Sequence, residues 1–258
     1  MFKHDIAKIL STAALVAMFG VASADAATIT FDFQNSGGTT SGSGYGNVRT
    51  YEASGLTVTV TSWGVTGAGN TQFQTAQTGY FSGNGLGVCT RAEGTGCSSP
   101  EHQVDNSGAR EYVLFKFSQA IDPTQVAIDP YGAYDRDVEY FVGNATSTIL
   151  TGLAPSAASL GTVGLGTRFT SLSTASESGR IVAIDGGTVN ALLFGVGPLN
   201  SSGFDNIVDR FKIEWMTVQT SGPSGAPDPV GTPVPAPASL ALLGGALLGL
   251  RLIGRRKA

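Results

Sequence analysis

The sequence predicts an all-β domain, specifically a jelly-roll-type antiparallel β-sandwich. Its segments alternate apolar and polar residues with period two, Gly/Ser/Thr/Asn-rich stretches separate them, and almost nothing between the two chain ends follows a helical period. About ten such segments, with turns every ~10–20 residues, fit two packed antiparallel sheets. An immunoglobulin-like sandwich is the alternative, but Cys89 and Cys97 lie too close in sequence for the inter-sheet disulfide of that fold. There is no internal repeat, which excludes propellers and solenoids.

Ala27 to Gln34 alternates Ile29, Phe31 and Phe33 with Thr28, Thr30 and Asp32. Leu56 to Trp63 alternates Leu56, Val58 and Val60 with Thr57, Thr59 and Thr61. Such strands bury one face and wet the other. The next predicted strands are Gln72 to Thr78, Glu111 to Ser118 (Val113, Phe115 and Phe117 on one face), Gln125 to Asp129, Asp137 to Gly143, Thr167 to Leu172 and Arg180 to Asp185. Val189 to Val196 is apolar almost throughout, so it is expected to be a central strand covered on both faces. In the last strand, Asp209 to Thr220, Phe211, Ile213 and Trp215 are expected to point one way and Lys212, Glu214 and Met216 the other. Asn35 to Asn47, Gly64 to Asn70 and Gly83 to Pro100 read as loops suited to antiparallel connections rather than crossover helices.

The two ends have a different character. Lys3 and Lys8 precede an apolar stretch from Ile9 to Ala22, and small residues follow at Ala22-Ser23-Ala24 and Ala24-Asp25-Ala26. This predicts a signal peptide over residues 1–26, removed after Ala26 by signal peptidase. Residues 27–220 are then the extracellular sandwich, and 221–233 form a Pro/Gly/Ser linker whose composition cannot bury a core. Beyond it come Val234, Pro235, Ala236, Pro237 and Ala238, an apolar run over 238–254 interrupted by Arg251, and a basic tail over 255–258 holding Arg255, Arg256 and Lys257. Proline lacks the N–H that a helix interior needs, so the motif 234–238 is expected to stay extended ahead of the apolar run. As a helix the run is about 26 Å long, just short of a ~30 Å hydrocarbon core. It is predicted to span the inner membrane once, with the Arg251 stem reaching toward the headgroups and the basic cluster held on the cytoplasmic side.

Val234-Pro235-Ala236-Pro237-Ala238-Ser239-Leu240-Ala241-Leu242-Leu243-Gly244 with the basic end resembles the PEP-CTERM and VPLPA-CTERM sorting signals of Gram-negative bacteria. Ala236 stands where the PEP form carries Glu, so the match is closer to the VPLPA-like variant. The resemblance implies an exosortase, a membrane-embedded cysteine protease and transpeptidase, as partner, and delivery of the preceding domain to the cell surface or extracellular matrix. It covers residues 234–258 alone and assigns no activity to the sandwich. The string from Gly85-Leu86-Gly87-Val88 through Glu101-His102-Gln103-Val104-Asp105-Asn106 to Tyr112-Val113-Leu114-Phe115-Lys116-Phe117-Ser118 also resembles segments of PEP-CTERM cargo proteins of unassigned role.

Residues 27–220 carry nine basic side chains against sixteen acidic, which removes nucleic acid as an expected partner because no basic stripe is present. Cys89 and Cys97 are the only cysteines, and export to an oxidising compartment predicts that they form a disulfide. Closing so short a loop contributes about 2.5 kcal/mol on the chain-entropy account.

His102 is the only histidine left after removal of the leader, and no Gly-x-Ser-x-Gly elbow is present, so a Ser/His/Asp arrangement has little to draw on. Glu101, His102, Asp105 and Asn106 form the densest polar cluster: either Asp105 and Asn106 make turns while Glu101 and His102 are solvated or bonded to local backbone, or the cluster holds a ligand or divalent ion with oxygens from Glu101, Asp105 and Asn106. A second acidic group contains Asp129, Asp135, Asp137 and Glu139, in which Asp135 and Asp137 are the leading candidates for a hard cation such as calcium. Asp205, Asn206 and Asp209 make a third oxygen-rich loop. Trp63, Tyr80, Phe81, Tyr131 and Tyr134 fall at or near loops, where flat rings either stack on sugars or close the core rim. The expected function is a non-enzymatic adhesion or polysaccharide-binding module at the cell surface, and the rival is a secreted carbohydrate-active hydrolase or lyase using loop carboxylates.

Overall fold

A computed structural model describes residues 26–220 except 68, 95, 96, 98–101 and 202. The signal peptide up to Asp25, the linker, the motif Val234 to Ala238, the predicted span and the basic cluster Arg255, Arg256 and Lys257 lie outside the described residues, as does Glu101. Among the described residues no helix is long and apolar enough to cross a membrane.

The described chain is all-β and antiparallel, consistent with a β-sandwich. Its strands are β1 (Thr28–Asp32), β2 (Thr39–Ser41), β3 (Val48–Ala53), β4 (Leu56–Gly67), β5 (Gln72–Thr75), β6 (Gln77–Phe81), β7 (Gly85–Cys89), β8 (Val104–Asp105), β9 (Glu111–Asp129), β10 (Val138–Gly143), β11 (Thr167–Ser171), β12 (Arg180–Ala183), β13 (Val189–Gly195) and β14 (Arg210–Thr220). One short helix, α1 (Ala157–Gly161), lies between β10 and β11.

β9 joins the two leaves. Its first part, Glu111 to Phe117, lies between β4 and β13, and its second, Ile121 to Asp129, lies between β14 and β12. One leaf therefore runs β11-β10-β13-β9-β4, with β3 and β5 along the outer side of β4 and β2 on β3. The other runs β12-β9-β14, with β1, β7 and β8 on the far side of β14 and β6 on β7. The leaves share one core: Phe31 meets Phe117, Phe33 stacks on Phe115, and Phe194 meets Phe211 edge-on. A second apolar layer built on Trp63, Phe73, Tyr112, Leu114, Phe141 and Leu193 packs with Leu150, Leu160 and Leu165 from the chain segment that carries α1. Ser156 caps that helix by accepting the Ser159 N–H, a local bond that starts one turn of helix without a helical repeat in the sequence.

The double cover explains why β13 is apolar: Leu192 and Phe194 enter the shared core, while Ala191 and Leu193 enter the second layer. In β14 the expected single alternation breaks. A register shift between Ile213 and Trp215 inserts one residue, so Phe211 and Ile213 share the core with Met216 and Val218 while Trp215 turns outward. The predicted strands 111–118 and 125–129 are one continuous strand, because opposite leaves use its two halves. β7 was hidden in an expected loop by its glycines. Gly85 has φ of 101°, and a Cβ there would lie 2.2 Å from the Ile213 carbonyl oxygen. At Gly87 a Cβ would lie 2.4 Å from the His102 carbonyl oxygen, so close backbone approach demands what the propensity scale penalises.

Cys89 at the end of β7 is disulfide-bonded to Cys97, with Cα atoms 5.6 Å apart. Replacing both by alanine is expected to lower the stability by about 2–3 kcal/mol, the loop-closure contribution. A urea midpoint shows it, and an unchanged midpoint would mean the cross-link contributes nothing.

Candidate functional site

Four loops converge at one end of the sheets: the loop after β8 brings Asn106, the β9–β10 loop brings Asp135 and Asp137, the β11–β12 loop brings Ser173, and the loop before β14 brings Asp205 and Asp209. An isolated parallel bridge between Asp135 and Asp209, with the Arg210 N–H donating to the Asp135 carbonyl oxygen at 3.0 Å, ties two of these loops together. Carboxylate oxygens of Asp135, Asp137 and Asp205 all lie within 4.8 Å of one another. Asp135 is 0% exposed, Asp137 4% and Asp209 2%, while Asp205 is open to solvent.

Backbone and amide donors hold this group in place. The Asp137 N–H donates to Asp209 Oδ1 at 2.7 Å, and Asn106 Nδ2 donates to Asp209 Oδ2 at 2.7 Å. The Asp209 N–H returns a bond to Asn106 Oδ1 at 3.0 Å. Asp135 Oδ1 accepts from the Arg136 N–H at 2.7 Å and from Ser173 Oγ at 3.2 Å, and the Ser173 N–H donates to Asp137 Oδ1 at 2.5 Å. Asp135 Oδ2, also buried, has no hydrogen-bond partner. Arg136 and Arg180 lie near, but their guanidinium groups donate to backbone carbonyls of Ser178 and Thr174 and of Arg136 and Ser171. Among the described residues no ion pair reaches Asp135, Asp137, Asp205 or Asp209.

Such crowding favours the neutral acids. Burial, and then the charges of Asp137 and Asp135, push the Asp209 carboxyl up to about 7 against the opposing bonds from the Asp137 N–H and Asn106. Burial also raises Asp137, with Asp135 and Asp205 adding to it and the Ser173 N–H and Arg180 working the other way.

The remaining predicted residues go elsewhere. His102 Nδ1 faces Glu93 Oε1 at 3.7 Å, and Asp105 faces Arg210 Nε at 3.7 Å. The Asp105 N–H donates to Glu111 Oε2 at 3.1 Å. Burial lifts Asp105 to about 6 and raises fully buried Glu111 well above the carboxylate range. Asn106 thus leaves its sequence neighbours His102 and Asp105 and joins Asp209. Glu139 is 1% exposed, accepts from Tyr112 Oη at 3.1 Å and pairs with Arg168, whose Nε is 3.1 Å away. Lys212, expected on an outward face, is 1% exposed, with its ammonium 5.0 Å from the Phe81 ring centre and 5.1 Å from that of Tyr131.

Of the aromatic candidates, Trp63 and Phe81 are buried, Tyr80 donates its hydroxyl to the Gln34 carbonyl oxygen, and Tyr134 carries the Arg210 guanidinium on its ring. Only Tyr131 among them is broadly exposed, at 52%. A separate open cavity of about 530 Å³ lies along β1 and β3, lined by Thr30, Asp32, Ser36, Thr39, Tyr51 and Glu52. The Tyr51 hydroxyl is buried beside the Arg49 guanidinium. Its hydroxyl-rich wall was invisible in the sequence because β2 and β3 fell within or beside an expected loop. Compared with family models, curated proteins and solved structures, the chain matches none.

Proposed function

We propose that the chain is an exported, non-enzymatic sandwich of the jelly-roll type, working at the cell surface or in the extracellular matrix as an adhesion or polysaccharide-binding module. In this reading the signal peptide takes it across the inner membrane, signal peptidase removes the leader, and an exosortase reads residues 234–258 after the apolar run has lodged in that membrane. Export rests on the leader and on the sorting-signal resemblance of residues 234–258, and the Cys89–Cys97 disulfide supports it, since such a bond persists in oxidising compartments. For the topology, the first and last strands lie side by side, β1 against β14, as a sandwich with Greek-key connections allows. For saccharide binding the support is the cavity along β1 and β3, where threonine and serine hydroxyls and two carboxylates offer donors and acceptors beside the Tyr51 ring.

Asp32 and Glu52 share that cavity, which is what favours the hydrolase reading. Yet Asp32 is held below the usual carboxylate range, chiefly by the Asn35 side chain, which suits an ionised acceptor better than a proton donor. Glycan-array binding without new reducing ends is the expected result, weakened by Glu52→Gln. Reducing-end formation that disappears in Asp32→Asn would transfer the chain to the hydrolases. Cell fractionation tests the address: processed product at the surface is expected, and intact product in the cytosol would end the sorting reading.

A further inference from the structure

We propose that Asp135, Asp137 and Asp205 hold one divalent cation, calcium by its chemistry, which joins the β9–β10 loop to the loop before β14. The donor set is all oxygen, which selects a hard cation over the softer metals that take histidine and cysteine. Calcium binds oxygens at about 2.3–2.6 Å, so two ligands of one ion lie at most ~5 Å apart. The three carboxylates already meet that bound, with oxygens within 4.8 Å of one another.

The independent observation is Asp135 Oδ2. It is buried, it accepts no hydrogen bond, and it belongs to a side chain with 0% exposure whose other oxygen is fixed by the Arg136 N–H and Ser173 Oγ. A buried carboxylate oxygen left without a donor is costly, and a cation supplies what the protein does not. Asp205, exposed at the mouth, gives the ion its way in, and Asp209 positions the site by receiving the Asp137 N–H and the Asn106 amide. A cation reaching Asp135 Oδ2 sheds water on that side. Magnesium dehydrates reluctantly, so calcium is the better occupant.

The inference stands apart from the proposed surface role. Its test uses the full-length chain in mild detergent, stripped of metal and titrated with calcium chloride by calorimetry, with melting curves in parallel. One saturable site and a higher melting temperature are expected, with magnesium weaker. Asp205→Asn, at an exposed position, keeps an oxygen for the Ile207 N–H and relieves repulsion on Asp137, so the metal-free variant is expected to melt no lower than the wild type. It should weaken calcium at least as much as the ~10–100-fold that loss of an outer-shell partner costs. Asp135→Asn is expected to abolish binding. Absence of binding heat together with an unchanged melting curve at millimolar calcium would overturn the proposal, as would wild-type affinity in Asp205→Asn.

Discussion

Arg168→Ala is expected to destabilise the fold by about 2–3 kcal/mol, more than loss of a fully exposed ion pair. The Arg168 side chain is 39% exposed, but its partner Glu139 is 1% exposed on β10, between the Tyr112 hydroxyl and the guanidinium. Truncating the arginine leaves a carboxylate in the apolar layer with one neutral donor and no counter-charge. The remedy distinguishes this cause from lost packing. Glu139→Gln in the Arg168→Ala background keeps an acceptor for Tyr112 and removes the stranded charge, so it should restore most of the loss. Urea midpoints of the three variants measure it, and a double variant no better than Arg168→Ala would show that the cost came from packing.

Raising the pH from about 5 to 8 is expected to weaken the metal-free protein. Asp105 and Asp209 have folded values of about 6 and about 7, both above the ordinary 3.8, and Glu111 is raised as well. A carboxyl whose folded value is elevated holds its proton better folded than unfolded. The stability it allows is therefore complete below about pH 4 and is lost as the pH climbs through the folded value. Each pH unit of elevation corresponds to about 1.4 kcal/mol, so the two aspartates set an upper limit of several kcal/mol. Asp209→Asn should flatten the profile between about pH 4 and 7, and Asp105→Asn between about pH 4 and 6. Equal urea midpoints at pH 5 and pH 8 would contradict this account. Bound calcium favours the ionised carboxylates at its site, so adding it should rescue the protein more at pH 8 than at pH 5.

The strands were legible wherever period two and burial coincided. Leu56, Val58 and Val60 alternate with threonines and are buried, and the apolar run Ala191 to Phe194 is covered on both faces as its composition implied. β14 was readable only to Ile213, because a bulge shifts the phase without leaving a mark in the sequence. β7 escaped because Gly85 and Gly87 serve contacts with distant backbone, which no local pattern records. Acid-rich loops could be picked out one by one. That Asp205 would meet Asp135 and Asp137, or that Asn106 would leave His102 for Asp209, depends on the Asp135–Asp209 bridge, a purely tertiary fact.

The last strand has a consequence for how the domain comes into being. β14 contacts β9 on one side and β1, β7 and β8 on the other, so the second leaf has no middle until residues 210–220 arrive. A polypeptide released amino end first, whether from a ribosome or a translocation pore, must wait with those flanking edges unpaired, and pairings this distant in sequence are slow to close. The fold is in this sense completed by a keystone laid last, and a chain stopped at Asp209 would be left open to chaperones, proteases and its own neighbours.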